Sequence, residues 1–136
     1  MEASPITQWL DAIDRRDVGL SVLAPDVRML AADGRRAEGH DGVAELLGAF
    51  LGRLRLVEHR VTAQWHVDDV WIAEVEATYE TTDYFRTAPL PRAIIARTSA
   101  AGIDDLRIYG AHEHPVGEHR TGEEGMWVGG RWVPPL

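Results

Sequence analysis

The stretch "LVEHRVTAQWHVDDVWIAEVEATYE", residues 56–80, decides the fold, because its apolar residues recur at every second position. In the first half Val57, His59, Val61, Ala63 and Trp65 share one face; Leu56, Glu58, Arg60, Thr62, Gln64 and His66 share the other. In the second half Trp71, Ala73, Val75, Ala77 and Tyr79 oppose Glu74, Glu76 and Glu80. Successive strand side chains point to opposite faces, so the pattern predicts two long strands, each with one buried and one wet face.

Downstream, "PRAIIARTS" (91–99) predicts a third strand. "IDDLRIYGAHEH" (103–114) predicts a fourth, with Leu106, Ile108, Gly110, His112 and His114 on one face. Upstream the period becomes helical. "SPITQWLDAIDRRD" (4–17) has Ser4 as N-cap and Pro5 at the first helical position, then a stripe of Ile6, Trp9, Leu10 and Ile13. "VGLSVLAPDV" (18–27) predicts a short second helix stopped by Pro25, and "VRMLAADGRR" (27–36) a short strand ending in an Asp33-Gly34 turn. "HDGVAELLGAFLGRL" (40–54) predicts a third helix, with His40 in a cap or first-turn role.

The predicted fold is α+β: three N-terminal helices packed in a strongly curved antiparallel sheet, forming a cone with an internal pocket. One domain spans residues 1–116. A tail, 117–136, carries a possible Trp hairpin in which Gly129-Gly130 turns and Trp127 opposes Trp132.

Composition excludes several chemistries. The chain has no Cys, which removes disulfides and thiolate nucleophiles, and its 14 basic residues are all Arg, so no lysine Schiff base can form. A net charge of −8 with scattered arginines argues against nucleic acid. No apolar run suits a membrane span and no secretory signal opens the chain, so a cytoplasmic location is expected. The three serines lack a nucleophile elbow, and the glycines form no phosphate-binding fingerprint.

The order of elements, with "LAPDVRMLAADGRRAEGHDGVAELLGAFL", "VWIAEVEATY" and "GIDDLRIYGAHEHPV", resembles the SnoaL-like group of the nuclear transport factor 2-like superfamily over about residues 4–116. That superfamily includes ketosteroid isomerases, scytalone dehydratase, limonene epoxide hydrolases, polyketide cyclases and non-catalytic binders. The resemblance implies a cavity, and commonly a homodimer through the outer sheet face, where Arg60 or Arg97 would match the glutamates. It puts the isomerase tyrosine at Trp9, the isomerase base near Ala31 and its protonated acid near Ala93 or Ile94. The epoxide hydrolase acid falls at Ile108 and a frequent terminal-strand aspartate at Ala111. None of these positions carries an acid, so no family mechanism transfers unchanged.

Candidate chemistry therefore rests on histidines. His59 interrupts an apolar face, either as a hydrogen-bonded core residue or as a general acid or base suited to neutral pH. Tyr79 and His112 are its candidate partners, giving His59, Tyr79 and His112 as catalytic candidates. Trp9, Trp65, Trp71, Val75, Leu106 and Ile108 are the candidate ligand-binding residues. His112 and His114 with Glu118 mimic half of a cupin metal motif, but the second half is missing, so no metal is expected. The expected function is a pocket for a small apolar molecule, with no cofactor. It would serve an isomerase, dehydratase, cyclase or hydrolase using His-based proton transfer, or else a binder that lacks the family's acids.

Overall fold

A computed structural model describes residues 4–110 and the backbone of 126–128 and 131–133. Helix α1 (Pro5–Asp14) begins as its sequence dictates: Ser4 Oγ accepts from the Thr7 N–H at 3.2 Å and Pro5 needs no partner for a missing donor. Its stripe of Ile6, Trp9, Leu10 and Ile13 is buried, each such residue stabilising the fold by roughly 1.5–3 kcal/mol.

The second helix expected at 18–27 is reduced to one 3-10 turn, Leu20–Val22, so the fold has two α-helices rather than three. Gly19 adopts a left-handed φ of 73°, its N–H held by Asp17 Oδ1 at 3.0 Å, which interrupts helix propagation. Strand β1 (Leu23–Leu30) then runs through Pro25. Pro25 is tolerated because the β1–β6 register shifts between Leu23 and Arg28.

The Asp33-Gly34 turn forms as predicted, with the Ala31 N–H donating to the Arg35 carbonyl at 2.8 Å. It leads into β2 (Arg36–Glu38), a strand too short to show in the sequence pattern. Helix α2 (Gly39–Leu51) buries Val43, Leu47 and Leu51, and His40 Nε2 in its first turn donates to the Leu23 carbonyl at 2.9 Å.

Four long strands follow: β3 (Leu54–Val67), β4 (Val70–Thr81), β5 (Leu90–Ser99) and β6 (Gly102–Gly110). The sheet order is β2-β1-β6-β5-β4-β3, and every pair is antiparallel except β1 with β6. Both helices pack on the inner face of this curved sheet. In the tail β7 (Met126–Val128) pairs with β8 (Arg131–Val133), placing Trp127 opposite Trp132. Among the described residues no helix is long and apolar enough to cross a membrane.

Parity along β4 follows the sequence: Ala73, Val75, Ala77 and Tyr79 are all buried. Glu80 departs from it. It is buried too, because the following turn brings Arg86 within 3.6 Å and Arg55 also binds its carboxylate. Strand β3 departs further. Val57, His59 and Val61 oppose Tyr79, Ala77 and Val75, but an irregularity between Val61 and Ala63 puts Ala63 opposite Glu74. One extra residue in one strand swaps the faces of everything beyond it. Trp65 consequently pairs with Ile72 and is 51% exposed.

Candidate active site

The sheet's inner face, α1 and α2 line an open-sided cavity of about 100 Å³. Trp9, Leu10 and Ile13 of α1, Leu47 and Phe50 of α2, and Ile94 and Ile108 of the sheet supply its apolar wall. Three neighbouring strands each add a polar group: His59 from β3, Tyr79 from β4 and Arg92 from β5. Asp33, Arg35 and Arg53 complete the charged lining.

Register explains how these groups meet. Val57 lies opposite Tyr79 and His59 opposite Ala77, so His59 and Tyr79 are diagonal neighbours on one face. Their ring centroids are 6.3 Å apart, edge to face. Ala77 has only a methyl group, which leaves room beside the imidazole.

Asp14, the last residue of α1, holds His59 twice. Its Oδ1 lies 2.6 Å from His59 Nδ1, and its Oδ2 accepts from the His59 backbone N–H at 3.1 Å. An ionised carboxylate only accepts, so Nδ1 carries the proton facing Asp14 and Nε2 is the nitrogen left for other chemistry. The His59 side chain is 8% exposed and that of Asp14 28%. This is an oriented imidazole backed by a carboxylate, the arrangement a general base requires.

Tyr79 is buried, with the Phe50 ring edge-on at 5.2 Å and the Arg92 guanidinium 5.7 Å from its ring centre. Burial pushes its phenol above the ordinary range; Arg92 opposes the shift and Asp14 adds to it. The phenol is therefore a proton donor at neutral pH. Two buried donors on the wall, Trp9 Nε1 and Arg92 Nε, have no hydrogen-bond partner among the described residues.

Of the sequence candidates, His59, Tyr79, Trp9 and Ile108 line the cavity. Four expected ligand contacts do not. Trp65 is turned outward by the β3 irregularity. Trp71, in the wider end of the sheet, stacks on His66 at 3.7 Å. Val75 and Leu106 face inward but are sealed in the core, Leu106 between Met29 and Ala96. His112 and His114 lie outside the described residues. Among the described residues no three His, Asp or Glu side chains are grouped as metal ligands would be.

Two site residues were missed by the sequence reading, and each left a signal. Asp14 stands four residues after Leu10, at the edge of the buried stripe. Arg92 alternates with Leu90, Ile94 and Ala96, interrupting an apolar face just as His59 does.

No protein-family model matches the sequence, and no curated protein matches it. Solved structures do. A protein with a ketosteroid isomerase-like fold from Catenulispora acidiphila, in complex with trimethylamine, is 17% identical at a TM-score of 0.69, covering 80% of this chain and 86% of that one. An epoxide hydrolase of the LEH-like type from M. tuberculosis is 17% identical at a TM-score of 0.67, covering 78% and 79%. A nuclear transport factor 2-like protein of unknown function from an Exiguobacterium species is 14% identical at 0.67, covering 79% and 98%. At these identities the likeness speaks for architecture, and the curved sheet closed by α1 and α2 agrees with it. This chain has a ketosteroid isomerase-like fold.

Proposed function

We propose that this chain is a cytoplasmic, cofactor-independent enzyme that moves a proton on a small, largely apolar substrate, as isomerases, dehydratases, cyclases and hydrolases of this fold do. The observation that carries the reading is the Asp14–His59 pair on the wall of an apolar cavity. His59 Nε2 takes a proton from the carbon beside a carbonyl, and Asp14 stabilises the resulting imidazolium. The Tyr79 hydroxyl donates to the carbonyl oxygen as negative charge develops there. Returning the proton to another carbon isomerises the substrate; loss of a leaving group from the neighbouring carbon eliminates it. General acid–base catalysis of this kind supplies roughly 10²–10⁴-fold.

Hydrogen–deuterium exchange tests this directly. In heavy water the wild type should exchange the hydrogens beside the carbonyl of cyclohexanone well above the buffer rate, followed by proton NMR. His59→Gln should lower exchange by about 10²-fold while binding of the ketone stays within about threefold. Asp14→Asn should lower the rate without raising KM, and Asp14→Glu should restore part of it. Equal exchange by wild type and His59→Gln rejects the catalytic role, and binding without exchange in the wild type marks the chain as a binder.

The proposal includes a homodimer through the outer sheet face. Trp65, Ile72 and Ile95 form one cross-strand row there. On the same face Arg60 Nη2 meets Glu76 at 2.5 Å. An apolar row of this kind suits a self-complementary contact.

A further inference from the structure

The protein carries a net charge of −8, yet Arg92 stands on the cavity wall apart from Arg35, Arg53 and Asp33, each of which has a partner. Asp33 is bound by Arg35 at 2.7 Å, and both oxygens of nearby Asp14 are taken by His59. The Arg92 guanidinium lies beside the Tyr79 phenol, and its Nε–H is buried with no acceptor among the described residues. A cationic group on a low-dielectric wall concentrates anions of matching size, and a buried donor without an acceptor is a standing cost that a ligand oxygen removes.

The surroundings of Arg92 leave space for such a ligand. Its cross-strand partner is Gly110, so no side chain stands beside it on β6. The cavity of about 100 Å³ is of the order of the roughly 150 Å³ hollow that admits benzene in an engineered protein, a match for a single ring.

We propose that the ligand of this cavity is a single-ring carboxylic acid, bound as its anion with the carboxylate on the Arg92 guanidinium and the ring against Leu10, Ile13, Leu47 and Phe50. The inference rests on the cavity being the functional site, and it deepens the preceding reading by naming the substrate class. The carboxylate pairs with a planar donor fork, the geometry in which arginine binds most strongly.

Calorimetric titration with cyclohexanecarboxylate and with its neutral isostere cyclohexanecarboxamide provides the test. Wild type should bind the carboxylate at least about tenfold more tightly. Arg92→Met should erase that preference while keeping affinity for the amide, and Arg92→Lys should keep only part of it. His59→Gln should keep the preference intact, so a protein that binds the acid but exchanges no hydrogens fails the catalytic proposal alone. Equal affinity for acid and amide in the wild type overturns the inference, as does failure of both to bind. Should Arg92→Met not fold, the wild-type comparison and Arg92→Lys decide the matter.

Discussion

Tyr79 carries a phenol where its anion is disfavoured, and that has a consequence for stability. Burial raises its folded-state pKa above the ordinary phenol value, so the unfolded chain releases the proton first as pH rises. Stability is thus fully present below the unfolded value and falls as pH climbs through it toward the folded one. Denaturant midpoints measured between about pH 8 and pH 11 should decline at the upper end in wild type and decline less in Tyr79→Phe. An identical decline in both would show that the phenol is not protected by the fold. His59 and Tyr79 were legible from the sequence because each stands out by type or position on an alternating face. Asp14 was not, since which strand residue meets the end of a helix is settled by packing between elements 45 residues apart in sequence.

At the scale of elements, regular alternation and its interruptions decide what can be read. Strand β4 was legible because its ladder with β5 is unbroken from Val70 to Ala77. Strand β3 was legible only as far as Val61, since an extra residue costs little locally and leaves no composition signal. The lost second helix has a similar cause: apolar spacing in "VGLSVL" fits a helix, but Gly19 and the pairing of β1 override a weak propensity. Strand β6 ends at Gly110 with a φ of 125°, a conformation in which a side chain would strike the Pro91 carbonyl. Gly110→Ala should therefore destabilise by about 1–3 kcal/mol in chemical denaturation, and it should weaken carboxylate binding because Arg92 sits opposite. A variant as stable as wild type would mean the strand end relaxes freely.

For the whole molecule, the two sides of the sheet are assigned separate tasks. The inner side holds the core and the cavity; the outer side holds the row of Trp65, Ile72 and Ile95 and the Arg60–Glu76 pair. Analytical ultracentrifugation should find wild type at twice the chain mass and Ile95→Glu at the chain mass, with secondary structure unchanged by circular dichroism. Wild type sedimenting as a single chain would remove the dimer from the proposal. The architecture was legible because alternating strands and striped helices have few ways of covering one another. The proposed ligand class was less so, because it turns on where the chain's folding leaves the Arg92 guanidinium.

The register slip between Val61 and Ala63 has an evolutionary consequence. It uncouples the two ends of a single long strand, so that selection on the far end acts on a protein surface while selection on the near end acts on the cavity wall. Descendants of this chain can exchange Trp65 for any residue a new neighbour requires without disturbing the imidazole six positions earlier. A slip lost by deletion would instead drive that indole toward the hollow and expose what it displaced.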